Sequence, residues 1–255
     1  MSSIKEMATK LHGAARSCKA TPMISIGTDV SVEDAYAVQR EVLALRFAEG
    51  ETRVGVKIGL TSEAKMKQVG VHEVIWGELT DAMRVEDGGA ISHAKFVHPR
   101  AEPEVAFILG KDLPPDVSPE EAMQAVEAVA PAIEIIDSRY ENFKFALPDV
   151  IADNASSSAF VIGPRLPADH PIADEAMVLE VDGSAAQTGS SAAILGHPAR
   201  SLAEAARLCH RGGVPLKAGM IVLAGGATAA AHLSPGQRIR LSTATMGSVG
   251  FSVKE

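Results

Sequence analysis

Glu134 stands inside an otherwise aliphatic run, Ala132-Ile133-Glu134-Ile135-Ile136. An ionised carboxylate taken out of water without a partner is strongly disfavoured, so this residue constrains any fold the chain adopts. Thirty positions earlier, Glu102-Pro103-Glu104 leads into the apolar Val105-Ala106-Phe107-Ile108-Leu109. Side chains two apart on a strand share a face, so the two carboxylates converge if this segment is extended. Pro103 has no amide donor and marks a strand start or an edge. Taken alone, the pair reads first as two solvated glutamates at a strand end. For Glu134 two partners fit: an arginine, with Arg100 and Arg139 available, or a divalent cation that takes oxygen ligands. The eight histidines include no HxxxH pair, and His93, His98 and His197 read as structural or surface residues. A metal here is therefore Mg2+, with Mn2+ as the alternative, rather than Zn2+.

The chain has 255 residues, of which 46% are hydrophobic and 22% charged, enough to bury a sizeable core. A net charge of −8 argues against a nucleic-acid partner, which usually meets a basic face. Cys18 and Cys209 are far apart and form no CxxC, as expected of reduced thiols in a cytoplasmic protein. No apolar run reaches the length of a membrane span. The N-terminal Lys5, Lys10, Arg16 and Lys19 have a transit-peptide flavour, but Ile4, Met7 and Leu11 fall at helical spacing and predict an ordinary first helix.

A second helix is predicted from Ser31, with Asp34 at the capping-box position, Ala35, Val38, Val42 and Leu45 as its apolar stripe and Gly50 as its stop. Val54–Ile58 is a short apolar stretch interrupted by Lys57, and a short helix is expected from Ser62 to Gly70. From Ile75 strands dominate, including 104–109 and 132–136, with Asp87-Gly88-Gly89 a turn. Between those strands, Ser118, Pro119 and Glu121 predict a helix that includes Met123, Val126 and Val129 and ends at Pro131. Another helix is expected from Ser201 to Gly212-Gly213. The alternation of Ile239, Leu241, Val249, Phe251 and Val253 predicts a closing hairpin turning at Met246–Ser248.

Several residues carry chemistry. Lys57, between Val56 and Ile58, is either buried, with its pKa lowered by burial, or snorkelling. Asp81 is either a general base or a turn residue. Asp153-Asn154-Ala155-Ser156-Ser157-Ser158 is either a carboxylate-binding loop or a turn. Ala224-Gly225-Gly226-Ala227-Thr228 lets backbone amides approach an anion but lacks the lysine and spacing of a P-loop.

Val-Gly-Val-Lys-Ile-Gly-Leu-Thr-Ser (54–62), His-Pro-Arg-Ala-Glu-Pro-Glu-Val-Ala-Phe (98–107), Ile-Glu-Ile-Ile-Asp-Ser-Arg (133–139), Ala-Asp-Asn-Ala-Ser (152–156) and Leu-Gly-His-Pro (195–198) together resemble the hydratase/decarboxylase branch of the fumarylacetoacetate hydrolase superfamily. The stretch 136–145, Ile-Asp-Ser-Arg-Tyr-Glu-Asn-Phe-Lys-Phe, is similar to the 4-oxalocrotonate decarboxylases of aromatic meta-cleavage catabolism. The resemblance implies a mixed α/β (α+β) fold: a β-roll core with peripheral helices, in one catalytic domain over 1–255. Its first part, 1–74, is expected to be mostly helical, and 75–255 β-rich. It further implies Mg2+ held by Glu102, Glu104 and Glu134, an active-site Lys57 and an acidic Asp81. The expected substrate is a small 2-oxo acid, 2-oxo-3-hexenedioate. Arg139 or Lys144 is the expected contact to its distal carboxylate, and Asn154, Ser157 and Thr228 are further candidate contacts. Ala227 departs from the bulkier residue of the family pattern. A homo-oligomer is expected, and the resemblance implies association with a vinylpyruvate hydratase. The alternatives are a 2-hydroxypentadienoate or 2-oxohept-3-ene-1,7-dioate hydratase, with Asp81 as the base, and a non-catalytic partner subunit.

Overall fold

The fold begins where capping chemistry is written into the chain. In the computed structural model, which describes residues 3–62 and 73–255, α1 (Ile4–Ser17) opens on a reciprocal capping box between Ser3 and Glu6. Ser31 caps α2 (Val32–Ala48) through the Asp34 amide. The helix expected between Ser62 and Gly70 falls on residues outside those described. Both N-terminal helices bury one stripe, with Met7, Leu11, Val38 and Val42 meeting Ile75, Tyr140 and Ile151.

The strands follow in order: β1 (Arg53–Gly59), β2 (Ile75–Thr80), β3 (Arg84–Val85), β4 (Ala90–Ser92), β5 (Arg100–Leu109) and β6 (Val126–Ile136). After them come β7 (Ser157–Ile162), β8 (Leu166–Pro167), β9 (Ala176–Val181), β10 (Ser184–Ser190), β11 (Ile221–Leu223), β12 (Ala231–His232), β13 (Arg238–Thr243) and β14 (Ser248–Lys254). Helices α3 (Pro119–Met123), α4 (Leu147–Ala152) and α5 (Pro198–Arg211) intervene. Among the described residues, a nine-stranded mixed sheet runs β2-β1-β11-β5-β6-β7-β3, with β12 beside β5 and β8 beside β6. A five-stranded sheet runs β10-β9-β13-β14-β4. One face of the larger sheet packs Val56, Ile58, Phe107 and Val129 against Leu179, Leu241 and Leu202 of the second sheet and α5. The other face carries a separate apolar cluster of Leu79, Met83, Ala106, Ala130, Ala132, Phe160 and Leu223. No helix among the described residues is long and apolar enough to cross a membrane.

The apolar stretch Val54–Ile58 lies in β1, an inner strand of the larger sheet. Two expectations change. The helix capped by Ser118 is only Pro119–Met123, and Val126 and Val129 belong to the eleven-residue β6. β-branched residues favour a pleated surface, and here they find β5 along almost its whole length. The later helix begins at Pro198, with His197 Nδ1 accepting the Ala199 amide at 3.0 Å. Ser201 lies inside it and donates to the Ala224 carbonyl at 2.6 Å.

Pro103 and Pro131 both sit in strand interiors, contrary to the edge or stop expected of them. Pro103 lies opposite Ile133, and its carbonyl accepts the Ala227 amide where neither β11 nor β12 is paired with β5. Pro131 accepts the Gly163 amide in the equivalent gap between β7 and β8. Each missing N–H therefore falls where no ladder needs it.

Gln39 ties α2 to this framework, its Nε2 donating to the carbonyls of Trp76 and Ile151, both at 3.0 Å. Gln39→Ala removes both hydrogen bonds and leaves a small void, and we expect it to lower unfolding free energy in urea by about 2–4 kcal/mol. A loss under about 0.5 kcal/mol would show that the helices are anchored elsewhere.

Candidate active site

The register of β5 and β6 brings three carboxylates together. Glu102 and Glu104 share a face of β5, and Glu134 is the direct cross-strand partner of Glu102. All three are buried, Glu104 and Glu134 at 0% exposure, and an oxygen of each lies within 4.8 Å of the others. Like charges directly opposite one another destabilise a sheet, so this arrangement calls for positive charge. Glu104 Oε2 accepts the Gly225 amide at 2.7 Å, while Oε1 is buried with no hydrogen-bond partner. Gly225 adopts φ +110°, and a Cβ there would lie 2.3 Å from Thr61 Oγ1, so only glycine presents its amide this way.

Lys57 supplies part of the positive charge. It projects from β1, separated from β5 by the three-residue β11, and its Nζ lies 3.0 Å from Glu134 Oε2. The same ammonium donates to the Ala155 carbonyl at 3.0 Å. It is 3% exposed, so the buried alternative is the one the fold adopts. Burial by itself pulls its pKa down, but Glu134, Glu104 and Glu102 outweigh that and hold the ammonium above its ordinary value. This corrects the expectation of a lysine lowered by burial, which ignored the three acids. Burial, followed by repulsion from Glu134, pushes Glu104 well above the usual carboxylate range.

The carbonyl that receives Lys57 belongs to a strained turn. Asn154, Ala155 and Ser156 all have positive φ, near 52°, 50° and 60°. Such a run persists only when its surroundings over-determine it. Asn154 provides this, its side chain accepting the Glu78 amide at 2.8 Å and donating to the Glu78 carbonyl at 2.9 Å. Gly77 allows the approach, since a Cβ there would lie 2.5 Å from the Asn154 carbonyl oxygen. Beyond the turn, a bulge opposite Ile135 and Ile136 sends Ser157 Oγ to Glu134 Oε1 at 2.7 Å.

The residues singled out in the sequence therefore separate. Glu102, Glu104, Glu134, Lys57 and Ser157 form one constellation. Thr228 lines the adjoining cavity of about 580 Å3, with Lys57, Glu102, Leu60, Ile75 and Ala227. Asn154 shapes the turn but its amide is consumed by Glu78. Arg139 is bound to Asp153 and Ser158 beside a different cavity. Burial pushes Asp153 up to about 6 even with that guanidinium beside it. Lys144 is exposed and absent from the wall of the 580 Å3 cavity. Asp81 is also exposed and accepts from Thr52 N at 2.9 Å and Thr52 Oγ1 at 2.8 Å, which pulls its carboxyl below the usual range. It is the turn residue of the two readings, remote from the cavity wall. Arg100, Phe143 and Phe145 line the cavity and were not singled out as substrate contacts. Arg100 was legible as sharing the face of Glu102, two residues on.

Residues 55–254 match the fumarylacetoacetate (FAA) hydrolase C-terminal family model. The chain belongs to the fumarylacetoacetate hydrolase family. Within that family it is 51% identical to a 4-oxalocrotonate decarboxylase of Pseudomonas sp over 98% of this chain and 97% of the relative. It is 38% identical to a 2-hydroxyhexa-2,4-dienoate hydratase of Comamonas testosteroni, over 99% of this chain and 98% of the other. The 4-oxalocrotonate decarboxylase from Pseudomonas putida G7, solved with magnesium and adipate, superposes with a TM-score of 0.95 at 35% identity, covering 98% of this chain and 97% of that one. The expected mixed α/β family fold, with its sheet core and peripheral helices, is the fold observed.

The acids of this family member fit a divalent cation. The donors are all oxygens gathered in a buried space, and Glu104 Oε1 lacks a hydrogen-bond partner. A raised Glu104 pKa means that the metal-free fold holds a proton the unfolded chain releases near pH 4.3. That contribution to stability is present at low pH and is lost as pH rises through the carboxylate range towards the folded value. A cation competes with the proton, so the rise in melting temperature with Mg2+ over EDTA should grow from about pH 5 to about pH 8. A pH-independent increment would place the ion away from Glu104.

Proposed function

We propose that this protein is a Mg2+-dependent carboxy-lyase that converts 2-oxo-3-hexenedioate to 2-hydroxypenta-2,4-dienoate and CO2 in aromatic meta-cleavage catabolism. The observation that carries the reading is the buried trio Glu102, Glu104 and Glu134 with Lys57 held against it, in a chain 51% identical to a 4-oxalocrotonate decarboxylase. The trio would hold the Mg2+, or Mn2+ in its place. When bound, the ion supplies Lewis acidity to the 2-oxo acid end of the substrate.

The substrate is a vinylogous β-keto acid. Cleavage of the C5–C6 bond releases CO2 and sends its electron pair through the C3–C4 double bond to the C2 oxygen. Lys57 places a buried ammonium beside the site where that negative charge accumulates. It stabilises the dienolate and can return a proton to it. The Ala155 carbonyl and Glu134 fix its position, so little reorganisation is needed as charge arrives. Ser157 orients Glu134 from behind.

Hydration is the second reading, favoured by the 38% identity to a dienoate hydratase. It needs a base for water, and the residue proposed for that task, Asp81, is engaged with Thr52 at the surface. We place the enzyme in the cytoplasm, in keeping with its free thiols Cys18 and Cys209. We further propose a single catalytic domain that forms a homo-oligomer and associates with the hydratase consuming its product, as the family resemblance implies.

Purified protein offered 2-oxo-3-hexenedioate with Mg2+ should release CO2, and EDTA should abolish the release. Lys57→Ala should retain Mg2+ binding while kcat falls by about 100-fold or more. Hydration of 2-hydroxypentadienoate with no CO2 from the diacid would reject the decarboxylase reading, and a near-wild-type Lys57→Ala rate would remove the lysine from the chemistry.

A further inference from the structure

Arg100 is a cation facing the acid end of the cavity. It shares the face of β5 with Glu102 and Glu104, one strand repeat beyond Glu102. Lys57 and Arg100 are the cations lining this cavity among the described residues, and Lys57 is committed to Glu134 and the Ala155 carbonyl. Arg139 is committed to Asp153, and Lys144 lies outside the wall. No salt bridge holds Arg100 among the described residues, and its Nε is buried without a hydrogen-bond partner.

The guanidinium is nonetheless positioned. Its carbon lies 3.8 Å from the centroid of the Phe143 ring. Phe143 itself is set by a turn in which Asn142 and Phe143 both adopt positive φ, near 60° and 56°. Its ring also meets His98, with centroids 5.1 Å apart, and Phe145 at 5.9 Å. Stacking consumes one face of the guanidinium and leaves its edges free. Those edges carry the parallel N–H pairs that match a carboxylate in its own plane.

We propose that Arg100 is the specificity-determining residue that receives the second carboxylate of a dicarboxylate substrate, oriented by Phe143. The proposal rests on the function argued above and names what that cavity recognises at its far end. The spacing suits it. Two residues along a strand span about 7 Å. The carboxyl carbons of an extended six-carbon diacid are separated by five bonds of about 1.5 Å, or roughly 6 Å after zigzag. A substrate held at one end beside the glutamate trio thus presents its other end to the guanidinium. The proposal also explains the 136–145 segment: it acts through Phe143 and Phe145 on the cavity wall rather than through Arg139 or Lys144.

In the lyase reaction this carboxylate leaves as neutral CO2, so its charge is greatest in the ground state. A cation paired with it strengthens substrate binding more than it assists the chemical step. Removing Arg100 should therefore raise KM while kcat changes little.

The test is calorimetric titration of the Mg2+-loaded protein with adipate and with hexanoate, which lacks the second carboxylate. Wild type should prefer adipate. Arg100→Met should lose adipate affinity by about 10- to 100-fold and leave hexanoate within about twofold. Arg100→Lys keeps a charge without the planar fork and should show an intermediate preference, and it carries the test if the methionine variant unfolds. A wild type indifferent between the two acids, unchanged adipate affinity in Arg100→Met, or an equal loss for both acids overturns the proposal. Turnover separates it from the reading beneath it. A wild type that prefers adipate but releases no CO2 from 2-oxo-3-hexenedioate sinks the lyase reading and leaves Arg100 as the diacid contact.

Discussion

Three buried carboxylates with oxygens within 4.8 Å of one another repel one another and have lost much of their hydration. Much of the surrounding structure answers that cost. Lys57 crosses from β1 to meet Glu134, Ser157 is turned by a bulge onto its other oxygen, and the Gly225 amide is aimed at Glu104. One oxygen of Glu104 is left without a hydrogen-bond partner. A protein that needed only stability would replace such a cluster with apolar residues. Its presence accords with the proposed role of holding a dication where an oxyanion develops.

The same constraint explains features that look unrelated to chemistry. The left-handed turn Asn154–Ser156 aims one carbonyl at Lys57, and Asn154, Gly77 and the Arg139–Asp153 pair keep that turn in place. Gln39 in α2 holds the strand and helix on either side of it. The N-terminal helices thus reach the site through backbone carbonyls and packing, without contributing a reacting group. Pro103 and Pro131 sit at gaps in the third-strand pairing, and such a gap beside β5 admits the Ala224–Thr228 segment to the cavity.

The three glutamates were legible as a candidate metal site because their signal is local. Two glutamates at strand spacing share a face in any extended geometry, and a glutamate among isoleucines stays anomalous wherever the strand is placed. Lys57 was legible for the same reason, although the direction of its pKa shift depends on long-range contacts. The substrate contacts were less legible. Arg139 and Lys144 were chosen for charge and proximity in sequence to Glu134, but Asp153 captures one and solvent the other. Asp81 was equally a turn residue by pattern, and only the Thr52 contacts decide between the readings. Among the elements, Ser118 marked a true helix start but not its length, because the pairing of Val126 and Val129 with β5 is a long-range fact. Arg100 could be placed on the face of Glu102 by alternation alone. Its partner Phe143 comes from about forty residues away, beyond any periodicity argument.

Diffraction from crystals grown with Mn2+, collected at the manganese absorption edge, tests the central claim most directly. The account predicts one strong anomalous peak per chain, about 2.0–2.3 Å from oxygens of Glu102, Glu104 and Glu134. Full occupancy elsewhere on the chain, with the trio empty and Lys57 still seated on Glu134, would contradict it.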